Sequence, residues 1–133
     1  MIEEKKEEQL SGKRLVEEIV GCMIDRKAED IAVYDVTGMS TVCDWYVICS
    51  GTAPVHATAI AHSIVRELKQ QHTRPVYTEG LDAGRWAVVD YADVVVHVMV
   101  PAIRDYYQIE ELWSEGERLT TEQLPQLRHA ETS

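Results

Sequence analysis

A chain of 133 residues has the length of one domain, and at that size folding removes about two-thirds of the unfolded chain's surface from water. Its 45% hydrophobic and 27% charged residues are those of a soluble globular protein; Phe is absent, so Trp, Tyr and the aliphatics must fill the core. A formal net charge of −10 lacks the Lys/Arg footprint with which proteins neutralise phosphates, so direct nucleic-acid binding is not expected. No run of eighteen apolar residues exists to span a membrane as a helix.

The first ten residues, MIEEKKEEQL, are acidic and polar. They match neither a secretory signal nor an Arg-rich transit peptide, which points to a cytoplasmic protein. Their Glu/Lys content predicts a flexible N-terminus over 1–10, ahead of a folded domain over 11–119. Ser11 is a candidate N-cap for a helix in which Leu15, Ile19, Cys22 and Met23 recur at helical spacing and which should stop near Ala28. IAVYDV, 31–36, reads as a strand broken by Gly38, and DWYVICS, 44–50, as a second, apolar enough to be covered on both faces. Ser50-Gly51-Thr52 turns the chain into a second helix with Pro54 in its first turn. Ala57, Ile60, Ala61, Ile64, Val65 and Leu68 give it an apolar face, and it should end around Gln71. PVYTEG (75–80), RWAVVDY (85–91) and VVVHVMV (94–100) read as three more strands, the last two joined by a hairpin through only Ala92 and Asp93. Pro101 opens a third helix with Tyr106, Ile109, Leu112 and Trp113 along one side, and 120–133 read as a flexible tail. The order α-β-β-α-β-β-β-α implies a single α/β domain, a mixed five-stranded sheet packed with helices.

The chemistry-bearing residues do not assemble into a catalytic pattern. Cys22, Cys43 and Cys49 form no C-x-x-C pair and sit among apolar neighbours, as buried reduced thiols do. The turn at 50–52 could hold a phosphate on a helix N-terminus. It carries neither G-x-x-x-x-G-K-[ST] nor G-x-G-x-x-G, and a turn into a helix explains it without a ligand. A degenerate nucleotidyl transferase or nucleotide-binding module is the sharper enzyme reading, because that class uses strand–turn–helix units and a mixed sheet. Such enzymes hold Mg²⁺ on a carboxylate cluster, typically D-x-D, and the chain has none. Asp90 and Asp93 flank the hairpin turn, where short acids satisfy the turn itself. His56, His62 and His72 form no i,i+4 pair, and His97 stands alone in a β-branched strand, where histidine is more often hydrogen-bonded structure than ligand. Neither Cys43 nor Ser50 carries local marks of an activated nucleophile that His97 could serve. No catalytic residue, cofactor or metal is expected.

The charge is concentrated instead. Residues 79–117 hold nine acids against two arginines, −7 of the −10, together with two Trp and three Tyr. Arg104, Asp105, Tyr106 and Tyr107 crowd the start of the third helix, and Glu110 and Glu111 follow. Tyr and Arg are enriched among interface anchors. A solvated face over a core Tyr106 and Trp113 would place the same residues there. If the stretch is an interface, a basic protein is its electrostatic match. A homodimer pairing through the aromatic hairpin is the third class open to the free chain.

CDWYVICSG at 43–51, PVYTEG at 75–80, GRWAVVDYADVVVHVM at 84–99 and RDYYQIEELW at 104–113 together resemble the ribosomal silencing factor family, also called the Iojap family. The resemblance covers roughly residues 11–119. It implies a nucleotidyl-transferase-like fold without that class's metal carboxylates. It also implies a translational repressor, active above all when nutrients are short, that binds the large ribosomal subunit through the basic ribosomal protein numbered fourteen and sterically blocks joining of the small subunit. Carried over position by position, the partner-binding residues it implies are Glu79, Trp86, Asp90, Asp93, His97, Arg104, Tyr106, Tyr107 and Glu110. The chain departs from the pattern at Met99, where an aromatic is common, at Trp45-Tyr46, where Tyr-Phe is usual, and at Val55-His56, where a more basic pair is often found. The first two are volume-tolerant core changes; the last puts a helix-start contact in question.

Overall fold

The structure, a computed structural model describing residues 9–127, places two helix layers of unequal size on the two faces of one sheet. Helices α1 (Gly12–Asp25) and α2 (Pro54–Lys69) cover one face; α3 (Pro101–Tyr107) and a 3-10 turn (Ile109–Trp113) lie on the other. The strands are β1 (Glu29–Asp35), β2 (Trp45–Ser50), β3 (Tyr77–Glu79), β4 (Trp86–Asp90), β5 (Val94–Met99) and β6 (Glu117–Arg118). Their spatial order is β3-β4-β5-β2-β1-β6; β2 and β5 run parallel and the other neighbours antiparallel. The parallel pair demands a crossover, and α2 supplies it.

The sheet has six strands where the sequence predicts five. The additional one is two charged residues, Glu117 and Arg118, paired with Asp35 and Tyr34. Nothing in their side chains favours a strand; the pairing follows from the chain returning along the β1 edge.

The α1 stripe is buried as its spacing predicts: Leu15, Ile19 and Met23, with Val16 and Val20, are sealed from water, while Cys22 is half-buried. The helix stops at Asp25, short of Ala28, because Lys27 adopts φ +60° and the Ala28 N–H returns to the Met23 carbonyl (2.9 Å). Ser11 occupies the N-cap position but its side chain makes no capping bond. The cap comes from the hairpin: Gly12 N–H donates to Asp93 Oδ2 at 2.7 Å.

The third helix is also shorter than predicted. Gln108 turns left-handed (φ 46°, ψ 47°), ends α3 at Tyr107 and restarts the chain as the 3-10 turn. The break rotates the side chains. Trp113 is buried at 6% exposure, but Tyr106 and Leu112, predicted on the same side, are exposed at 80% and 82%.

Within the described part of the tail expected to be flexible from 120, Leu124 and Leu127 join Leu119 in the main core. At the other end Leu10 packs partly on the same core and donates its N–H to Thr73 Oγ1 (2.8 Å). The remainder of both predicted flexible ends, 1–8 and 128–133, lies outside the described residues.

One core residue is imperfect. Tyr91 is buried, yet its hydroxyl has no hydrogen-bond partner among the described residues. An unpaired buried hydroxyl costs about 1–3 kcal/mol. Replacing Tyr91 by Phe is therefore expected to leave stability unchanged or raise it by up to about 1 kcal/mol; a destabilised variant in urea melts would mean that the hydroxyl is bonded.

Candidate partner-binding face

Strand alternation decides what each face of the sheet carries. Cross-strand register puts Tyr34 beside Tyr46, Ile48 and Val88 beside His97, Trp86 beside Met99, and Glu79 beside Val88. All of these side chains point away from α1 and α2. The short α3 and the 3-10 turn cover only part of this face, closing a small second core of Ala32, Tyr34, Ile48, Val95, Met99 and Trp113. Trp86, Tyr46 and His97 are left partly open.

The aromatics form a continuous row. Tyr46 stacks flat on Trp113 (4.1 Å between centroids, 8° between planes), His97 lies 5.5 Å from Trp113 and 6.1 Å from Trp86, and Trp86 meets Tyr107 at 5.0 Å. Tyr106 then meets Tyr107 edge-on at 4.9 Å. Trp86 Nε1–H donates to His97 Nδ1 at 3.0 Å, so the ring proton of His97 resides on Nε2. Burial pushes the His97 pKa down to about 4, so the row is uncharged at neutral pH. Glu79, exposed, stands at the β3 end of the face and accepts the Tyr77 hydroxyl.

The nine residues implied by the resemblance divide into two kinds. Glu79, Trp86, His97, Tyr106 and Tyr107 lie on or over the open face. The other four hold the structure together. Asp90 Oδ1 accepts Ala92 N–H at 2.7 Å, which closes the hairpin turn where Ala92 is left-handed (φ 78°). Asp93 caps α1, as described. Arg104 forks onto Glu110 with Nε–Oε1 at 2.9 Å and Nη2–Oε2 at 3.0 Å, and its Nη1 reaches the Asp30 carbonyl (2.8 Å) and Ser50 Oγ (2.9 Å). Tyr34 donates its hydroxyl to the same Glu110 Oε2 (3.0 Å). Burial would raise the Glu110 carboxyl, but the hydrogen bonds and charge of Arg104, with the bond from Tyr34, hold it below the usual range.

Sequence reasoning missed Tyr34, Tyr46 and Trp113 as parts of this face. A period-2 reading of β1 and β2 could have found the first two, because Tyr34, Tyr46 and Ile48 fall on the His97 side. Trp113 is reached only through the break at Gln108, which leaves no mark in the residue pattern.

The glycines of the motifs have steric reasons. A Cβ at Gly80 (φ +73°) would strike the Trp86 carbonyl, so the Glu79-Gly80 pair lets the loop lie against the strand that presents Trp86. At Gly51 a Cβ would sit 2.6 Å from Ala57 N; the turn fits close packing on α2 and needs no phosphate to explain it. Among the described residues no three His, Cys, Asp or Glu side chains gather as a metal site. At the departure Val55-His56, Val55 is exposed, whereas His56 is used internally. Its Nδ1 accepts Thr52 N–H (2.9 Å) and its Nε2–H donates to the Arg26 carbonyl (2.7 Å), tying the end of α1 to the start of α2.

Comparison with known proteins places this architecture. The family model described as "Ribosomal silencing factor during starvation" matches residues 9–133. The ribosomal silencing factor of Bacillus subtilis is 39% identical over 92 residues, 69% of this chain and 78% of that protein. A mouse protein named for mitochondrial assembly of the ribosomal large subunit is 34% identical over 102 residues, 74% of this chain and 45% of its own length. A crystal structure of a Chromobacterium violaceum protein superposes with a TM-score of 0.77 at 32% identity, covering 84% of this chain and 92% of that one. With its motifs, its sheet and its partly uncovered aromatic face all accounted for, the chain belongs to the ribosomal silencing factor family.

Proposed function

We propose that this protein represses translation by binding the large ribosomal subunit through the basic ribosomal protein numbered fourteen, where its bulk keeps the small subunit from joining. Family membership supports a ribosome-associated silencing role, and the name of the mouse relative supports the large subunit as the partner. The observation that carries the finer reading is the partly uncovered sheet face. It joins a partly exposed, uncharged aromatic row to the segment holding −7 of the net charge, which suits a basic protein surface. The mechanism is steric and assigns the chain no catalysis.

The protein is expected to co-sediment with purified large subunits and to stay off assembled ribosomes. Remaining at the top of the gradient with free large subunits present would refute the reading. Binding should weaken as salt rises, because exposed charges at the rim are screened. Replacing Trp86 by Ala should weaken it at least about tenfold, as loss of an aromatic anchor does, whereas the exposed Glu122→Ala should leave it unchanged. Equal effects of the two changes would place the docking surface elsewhere.

A further inference from the structure

Beside the aromatic row the surface sinks into a cleft of about 470 Å³ between the β1–β2 connection and the 3-10 turn. Its floor includes the Tyr46–Trp113 stack, so it continues the row at the end opposite Tyr107. Met39 (57% exposed) and Leu112 (82% exposed) stand on its walls. Leu112 stays almost wholly in water and Met39 more than half, so burial on folding stabilises the chain little through Leu112 and only partly through Met39. Glu111 and Glu115 also line it; no Lys or Arg does, and among the described residues neither carboxylate has an ion-pair or hydrogen-bond partner. Arg118, on the same sheet face, is turned onto the Tyr34 ring (5.9 Å).

We propose that this cleft receives one aliphatic side chain carried on a lysine- or arginine-rich segment of the protein partner, with Glu111 and Glu115 meeting the flanking cations. The wall supplies the apolar contact and the rim supplies the sign of the charge. A symmetric second copy would bring the same two glutamates against their own kind, which disfavours self-association through this cleft. The inference rests on the docking reading above and extends it from the aromatic row to a second, separate anchor.

The test is calorimetry of the full-length protein against purified ribosomal protein fourteen at low salt, with melting curves for each variant. Leu112→Lys is expected to weaken binding at least tenfold, and Leu112→Glu by less than threefold, because glutamate forfeits the apolar contact but strengthens the acidic rim. Both should melt with the wild type, since Leu112 is almost fully exposed. Leu112→Lys binding as tightly as wild type while Trp86→Ala is weakened would overturn the cleft and leave the docking reading standing. Equal losses for the lysine and glutamate variants would refute a basic occupant. A wild-type dimer that Leu112→Lys converts to monomer in light scattering would assign the cleft to a second copy. If the wild type does not bind at all, the docking reading fails and the cleft proposal falls with it.

Discussion

Replacing Arg104 by Ala is expected to destabilise the protein by about 3 kcal/mol. Arg104 and Glu110 are 12% and 26% exposed at their side chains, and removal of one partner from a buried pair costs about 3–5 kcal/mol because the other charge is stranded. The lower end fits a carboxylate that still sees some water. Four hydrogen bonds from one guanidinium join α3 to the 3-10 turn, to the start of β1 and to the end of β2, so the loss is spread over the whole second core. Lysine keeps the charge but lacks the planar fork, so Arg104→Lys should fall between wild type and alanine. Urea melts report the effect directly. Arg104 is thus a positioning residue: it fixes the segment that carries Tyr106, Tyr107 and Trp113. If Arg104→Ala unfolds at the wild-type midpoint yet loses ribosome binding, Arg104 touches the partner and is not a clamp.

That assignment shows how far the residue pattern could be read. The helical stripes of α1 and α2 were legible because burial on one face leaves a 3.6-residue period, and the hairpin because only two residues separate β-branched runs. What was illegible is set by backbone events without a residue signature. Gln108 is an ordinary helix former, yet its left-handed conformation ends α3 and sends Trp113 inward while Leu112 turns out. Strand β6 exists only because β1 offers it an edge. The candidate site was legible as a set and not as roles. Asp93 and Trp86 both lie in the matching motifs, but one caps a helix and the other faces outward, and only the fold separates a residue that builds the face from one that presents it.

His97 leads to the second large effect, a stability that climbs by about 3 kcal/mol between pH 4 and pH 6.5. Burial lowers its pKa to about 4, against about 6.5 in the unfolded chain. Above 6.5 neither state carries the proton and His97 contributes no pH dependence. Between the two values the unfolded chain binds a proton that the folded protein does not, so acid favours unfolding; below 4 both states are protonated and the contribution levels off. The gap of about 2.5 units at 1.36 kcal/mol per unit gives the magnitude. Glu110 acts at the acid end with a similar sign, since its depressed carboxyl stabilises the fold until pH falls through its folded value. His97→Gln separates the two, because an amide oxygen can still accept the Trp86 N–H but does not titrate in this range. The variant should lose most of the slope between pH 4 and 6.5 and keep the fall that Glu110 contributes at the acid end. A variant whose melts follow the wild-type slope through pH 6 would mean that His97 takes up its proton in the folded state. The aromatic row would then be charged under mild acid, which would remove the basis for treating it as an uncharged anchor beside an acidic rim.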